Sequence, residues 1–189
     1  MKVLITGATG LIGKELVALL LENNHTVHYL TTSPQKIQNK INYYGFYWNP
    51  QEGKIDDNCL DGVDTIVHLA GASISQRWTD SYKQELIESR VLSANLLYNL
   101  IRKAPNQVKY FISASGTAIY PDSYSKIYDE SSTEIDTTFL GNVVIKNIQR
   151  IKKLRELVKN ESPDIVLSFL GKPNKRMLIS TIGLKTKKI

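Results

Sequence analysis

The chain has 189 residues, 42% of them hydrophobic and 22% charged, with 11 glycines, 6 prolines and a net charge of +6, which is the profile of one globular domain able to bury a proper core. No apolar run approaches the ~20 residues that cross a bilayer, and MKVLITGATG runs straight into a glycine turn without a signal-like apolar region, so neither a membrane span nor a secretory leader is expected. The single cysteine, Cys59, excludes an internal disulfide, has no base near it in sequence, and fits a cytoplasmic location in which it is a small core or surface residue.

KVLIT (2–6) reads as a first β-strand and leads directly into GATGLIG (7–13). A helix follows over 14–24, with Leu16, Leu19 and Leu20 at helical spacing and Asn23-Asn24 as its stop. HTVHYLTT (25–32) is a second strand with Val27, Tyr29 and Leu30 inward, and NYYGFYW (42–48) is a third, closed by Asn49-Pro50. DTIVHLAGA (64–72) is a fourth, nearly continuous in its apolar character, as expected of a parallel strand covered on both faces. Residues 79–105 form a long helix with Thr79 as N-cap and a stripe of Leu86, Ile87, Val91, Ala94, Leu97 and Ile101. VKYFISAS (108–115) is a fifth strand, 141–160 a Lys-rich amphipathic helix with the stripe Val144, Ile148, Ile151, Leu154 and Val158, and DIVLSFL (164–170) a sixth strand. This alternation predicts the α/β class: a three-layer, doubly wound parallel sheet of order 3-2-1-4-5-6, a Rossmann fold, over residues 1–170, with a basic tail over 171–189.

Charge is divided along the chain. Residues 1–145 hold 12 basic and 15 acidic side chains, net −3, whereas residues 146–189 hold 12 basic and 3 acidic, net +9. A basic segment can attract nucleic acid or anionic lipid, but this one has Phe169 as its sole aromatic and so no stacking platform. It reads as a solvated helix face, with neither nucleic acid nor membrane as partner.

Gly7-Ala8-Thr9-Gly10-Leu11-Ile12-Gly13 is a GxxGxxG loop between the first strand and the first helix. In that place Gly7 makes the tight turn, Gly10 lets backbone N–H groups near Leu11 and Ile12 approach a pyrophosphate, and Gly13 permits close helix–strand packing. The end of the second strand decides the cofactor. An NAD binder carries Asp or Glu there for the ribose hydroxyl, whereas this chain has Thr31, Thr32, Ser33 and, nearby, Lys36, which favours NADP over the alternative, NAD. No metal site is expected.

GATGLIG, Trp48-Asn49-Pro50, LAGASI (69–74), QRW (76–78), KQELIESRV (83–91) and SASGTAIY (113–120) follow in one order. Over roughly residues 1–146 the chain resembles the atypical extended short-chain dehydrogenase/reductases described as NAD(P)-dependent sugar-nucleotide epimerases, which are similar to the NAD-dependent epimerase/dehydratase group in their Rossmann half. The resemblance implies that Gly7 to Gly13, with Thr9, hold the pyrophosphate and that Thr31 and Thr32 meet the adenosine 2′-end. It implies that Leu69, Ala70, Gly71 and Ser113 line the cofactor, that Glu85 and Arg90 contact the dinucleotide, and that the substrate is a small molecule of the nucleotide-sugar kind. Glu85 and Arg90 are ~7.5 Å apart in helical rise, enough to reach two parts of one ligand; a solvated helix face is the other reading for them.

Enzymes of this type use a Tyr as general acid/base, with a Lys four residues later that lowers its pKa from about 10. No tyrosine here has Lys four residues on; where relatives carry the pair, this chain reads Phe139-Leu140-Gly141-Asn142-Val143-Val144. What remains on the fifth strand is Ser113, Ser115 and Thr117, followed by Tyr120. Ser115 and Tyr120 are therefore the candidate catalytic residues, with a structural role as the alternative for Tyr120. The family continues for roughly a further hundred residues of substrate-binding region, and resemblance fades near Lys146. A truncated or frameshifted member and a minimal domain with its own sixth strand are both compatible with that. An open half-site would bind the dinucleotide better than it turns substrate over, and its exposed apolar surface would favour a homo-oligomer.

Overall fold

The computed structural model describes residues 1–129 and 131–158. Strand β1 (Lys2–Thr6) is followed by α1 (Leu11–Glu22), β2 (Thr26–Thr31), β3 (Asn39–Lys40), β4 (Tyr43–Asn49), β5 (Lys54–Ile55), β6 (Thr65–His68), α2 (Asp80–Lys103), β7 (Tyr110–Ser113) and α3 (Phe139–Val158). The sheet order is β3-β4-β2-β1-β6-β7, and β5 pairs with β4. From β4 to β7 every neighbour is parallel, which is the expected 3-2-1-4-5 order in these labels. The two-residue strands β3 and β5 add antiparallel pairs to β4 and make the sheet mixed. They are too short for any period to mark them. The expected sixth strand (164–170), the tail (171–189) and the side chains of Leu154 and Val158 lie outside the described residues.

Period-2 alternation splits β1 between two cores. Leu4 joins Leu30, Trp48, Leu60, Val63 and Ile66 beneath α2 and α3, whereas Val3 and Ile5 join Val27, Tyr29 and Val67 beneath α1. α1 starts three residues earlier than the periodicity implied, because Gly13 is packed inside its first turn. It stops where Asn24 turns left-handed at φ 58°. Thr79 caps α2 as expected, its hydroxyl accepting from the Tyr82 N–H at 3.2 Å. Ser93, Leu96 and Leu100 share the buried face of α2 with Leu86, Ala94 and Leu97, so that face is wider than the predicted stripe. β6 ends at His68, four residues before the predicted end at 72: the Leu69 N–H still reaches the Thr6 carbonyl at 3.2 Å, but the Ala70 N–H goes to the Thr6 hydroxyl at 3.0 Å. Cys59 is fully buried, and burial first of all, then Asp56, pushes its thiol far above its ordinary pKa, which keeps it unreactive.

Gly45 in β4 exists to admit Tyr29. A Cβ there would sit 2.5 Å from the Tyr29 hydroxyl oxygen and 2.6 Å from its Cζ. The ring cannot retreat. It stacks on Tyr43 at 4.5 Å, and its hydroxyl donates to the Lys36 carbonyl (2.8 Å) while accepting from the Gln38 N–H (2.7 Å). Gly45→Ala is expected to destabilise the chain by about 1–3 kcal/mol, as overpacking does. Urea unfolding reads this as a lowered midpoint at unchanged slope; an unmoved midpoint would contradict the packing described.

Candidate functional site

Thr6, the last residue of β1, is fully buried, and its hydroxyl joins two strand ends. Oγ1 accepts from the Leu69 N–H (3.1 Å) and the Ala70 N–H (3.0 Å), and it lies 2.8 Å from His68 Nδ1. One assignment satisfies the set: the Thr6 O–H donates to Nδ1, His68 Nε2–H donates to Ser93 Oγ (3.3 Å), and Ser93 donates to the Ser89 carbonyl (2.6 Å). This needs a neutral imidazole. Burial, followed by the Arg90 charge, holds the His68 pKa down at about 4. Sequence reasoning missed both Thr6 and His68, although a polar residue inside an otherwise apolar strand must be satisfied somewhere and signals such a network.

Above this junction lies the glycine loop. Gly7 has φ +72°, and a Cβ on it would come within 3.0 Å of the Leu69 carbonyl carbon, so the β1–α1 and β6–α2 loops touch. A Cβ on Gly13 would lie 2.2 Å from the Gly7 carbonyl oxygen. Gly10 is the N-cap of α1 and offers no side-chain acceptor, and the first intrahelical bond is from the Lys14 N–H to the Gly10 carbonyl at 3.0 Å. The N–H groups of Leu11, Ile12 and Gly13 at the positive end of the helix are thus left for an external acceptor. Leu11 and Ile12 are exposed beside it, as is Thr9. A cradle shaped in this way by absent side chains fits a pyrophosphate.

At the end of β2 the two threonines part. Thr31 is buried and accepts from the Ser33 N–H at 3.2 Å, whereas Thr32 is exposed. Beyond β6, Leu69 and Ala70 are half-buried and Gly71 exposed. Arg90 reaches back from α2 to this loop, donating to the Ala72 carbonyl (3.1 Å) and the Leu86 carbonyl (2.8 Å), with Gly71 against its guanidinium. Glu85 is exposed on the same helix.

Ser113 ends β7 beside His68 and is buried, its hydroxyl donating to the Ala114 carbonyl at 3.2 Å. The Ser115 hydroxyl is buried as well, in a small cavity under α3. The Tyr120 hydroxyl donates to the Asp129 carbonyl (2.8 Å), and its ring stacks on Tyr128 at 5.2 Å. The structure thus puts Ser113 and Ser115 at one strand end and ties the Tyr120 hydroxyl into the following loop. At the head of α3, Phe139 meets Trp78 edge-on at 5.8 Å with Lys83 6.0 Å over its ring, and Val143 is buried. Among the described residues there is no group of three His, Cys, Asp or Glu that could hold a metal ion, and no helix long and apolar enough to cross a membrane.

Residues 3–140 match the family described as NAD dependent epimerase/dehydratase. An epimerase family protein of Staphylococcus aureus (strain MRSA252) is 34% identical over 142 residues, which is 75% of this chain and 46% of that protein. Another, from Bacillus subtilis, is 32% identical over 142 residues with the same coverage. The chain therefore spans about half the length of the curated relatives it matches. Among solved structures, a human epimerase family protein crystallised with NADPH superposes with a TM-score of 0.63 at 26% identity, covering 95% of this chain and 59% of that one. A UDP-glucuronic acid 4-epimerase from Bacillus cereus, in complex with UDP-glucuronic acid and NAD, gives 0.69 at 20% identity, covering 89% and 56%, and shows likeness of fold.

The His68 network makes stability depend on pH. The unfolded residue takes a proton near 6.5 and the folded one at about 4, so its contribution is complete above pH 6.5 and drains as pH falls toward 4. The full effect is on the order of 3 kcal/mol. Thermal unfolding between pH 7.5 and 4.5 is expected to show a decline in the unmodified chain that is much shallower in His68→Gln; parallel declines would contradict the assignment.

Proposed function

The chain belongs to the NAD dependent epimerase/dehydratase family, and from that premise we propose that it is an NAD(P)-dependent sugar-nucleotide epimerase or oxidoreductase of the short-chain dehydrogenase type that binds NADP(H) through GATGLIG. The observation that carries this reading is the cradle: a Cβ on Gly13 would strike the Gly7 carbonyl at 2.2 Å, while the N–H groups at the head of α1 lack a side-chain cap. In this reading Gly7, Thr9, Gly10, Leu11, Ile12 and Gly13 receive the pyrophosphate. Leu69, Ala70, Gly71 and Ser113 form the wall beside the ring, and Arg90 keeps that wall in place through the Ala72 carbonyl. The 2′-phosphate falls to exposed Thr32, with Ser33 and Lys36 next to it, while Thr31 braces the turn. When bound, the nicotinamide supplies hydride acceptance and return. The substrate class is a nucleotide sugar, with Ser115 orienting a hydroxyl and Tyr120 as the acid/base.

A second reading is a dinucleotide-binding module with weak or no turnover. It is favoured by the run Phe139-Leu140-Gly141-Asn142-Val143-Val144 where relatives carry the Tyr and Lys, and by the bond from Tyr120 to Asp129. Turnover of any nucleotide sugar that Tyr120→Phe abolishes would remove it.

Titration of the chain with NADPH and NADH, followed by the emission of half-exposed Trp78 and of the nicotinamide, tests the first reading. NADPH is expected to bind more tightly. Thr32→Asp places a carboxylate against the 2′-phosphate and is expected to weaken NADPH at least tenfold, about 1.4 kcal/mol, with little effect on NADH. Gly13→Ala is expected to abolish binding of both, since its methyl must displace backbone. Absence of binding by the unmodified chain would overturn the proposal.

A further inference from the structure

Alternation along β2 puts Val27, Tyr29 and Thr31 on one face, and Val27 and Tyr29 enter the core beneath α1. The two polar members of that face hold the two ends of the segment that follows. At the near end Thr31 Oγ1 accepts from the Ser33 N–H at 3.2 Å. At the far end the Tyr29 hydroxyl donates to the Lys36 carbonyl at 2.8 Å and accepts from the Gln38 N–H at 2.7 Å. Between them the chain makes a single 3-10 turn, Pro34–Lys36, in which the Lys36 N–H donates to the Ser33 carbonyl at 2.9 Å. Gln38 passes the restraint on to β4, its carbonyl accepting from the Gly45 N–H at 3.0 Å. Tyr29 is only 1% exposed, whereas Thr32 and Lys36 stand exposed on the segment it restrains. A phenylalanine ring would stack on Tyr43 equally well, so the hydroxyl serves the segment and not the core.

We propose that Tyr29 is a positioning residue for dinucleotide choice: its hydroxyl braces the 33–38 segment so that Lys36, the one basic side chain between Thr31 and Gln38, is presented to a 2′-phosphate. This role rests on the reading given above, in which Thr32, Ser33 and Lys36 meet that phosphate, while the brace itself does not. The segment has no arginine to grip a phosphate with a planar fork. A lysine is a point charge on a flexible stem, so its contribution depends on where its backbone is held. Holding the turn in the free chain removes the cost of ordering it when the ligand arrives. NADH lacks the 2′-phosphate and gains nothing from Lys36. The brace therefore acts on the difference between the two dinucleotides, which a residue that only stabilised the fold would leave alone.

Tyr29→Phe keeps the ring and removes the brace. In titrations of the full chain it is expected to weaken NADPH about fivefold, the scale of one hydrogen bond, and to leave NADH within about twofold. An equal loss for both dinucleotides, or no loss for NADPH, would overturn the role. Lys36→Met is expected to weaken NADPH as well, with the double variant no weaker than the worse single, because both changes act on one contact. Additive losses would overturn the route through Lys36. Amide hydrogen exchange of the free chain tests the brace with no dinucleotide present. The Gln38 N–H is expected to exchange slowly in the unmodified chain and faster in Tyr29→Phe, while the amide of fully buried Ile5 in β1 keeps its rate. Equal Gln38 rates in the two chains, or equal acceleration of Gln38 and Ile5, would overturn the brace. The same samples separate this role from the cofactor reading. A braced Gln38 in a chain that binds neither dinucleotide removes that reading and the role with it but keeps the brace, whereas NADPH binding that Tyr29→Phe leaves untouched removes the role alone.

Discussion

The architecture turns on a single hydroxyl. Thr6 Oγ1 takes two N–H groups from the chain leaving β6 and gives its proton to His68, which fills its hydrogen-bonding capacity. Strands β1 and β6 already run in parallel register, from Val3 opposite Thr65 to Thr6 opposite His68. The last ladder bond runs from the Leu69 N–H to the Thr6 carbonyl, and the next N–H, that of Ala70, turns to the Thr6 hydroxyl instead. The low dielectric around these groups makes the network strong when complete and costly when broken. A neutral His68 is therefore part of the site's geometry as well as of its stability.

The long helix α2 distributes this constraint. Its inner face packs Leu86, Ala94 and Leu97 into the larger core, and the same helix sends Ser93 to His68 and Arg90 to the loop beyond β6. Near its start, Lys83 lies over Phe139 of α3. Core packing, loop position and the wall at the head of α3 thus share one rigid body. A shift of α2 by a fraction of an ångström would be felt in all three, since close-packed interiors transmit displacement.

What was legible in the sequence follows from which signals are local. The parallel order β4-β2-β1-β6-β7 was readable because strand–helix alternation and the right-handed crossover leave few topologies. The glycine loop was readable because backbone approach at fixed spacing admits few other residues. Thr31 and Thr32 were readable as a pair, but only the fold separates them, turning one to the Ser33 N–H and the other outward. Asn147 carried no sequence signal. It sits on a helix whose stripe was assigned to its apolar neighbours, and only where α3 meets the end of β7 does it find the Ala114 carbonyl to donate to. β3 and β5 failed for the opposite reason, two residues each being too few to show any period.

The heads of α1 and α3 are built in two different ways. The head of α1 is made of backbone and of missing side chains, so its shape follows from the fold once Gly7, Gly10 and Gly13 are in place. The head of α3 depends on which side chains stand there, and in this chain they are Phe139, Trp78 and Val143, apolar and packed. Backbone-built anion recognition survives substitution of the surrounding side chains, whereas proton transfer does not, because it needs one ionisable group at one place with a tuned pKa. A backbone-built loop can therefore persist while the side chains at the head of α3 change.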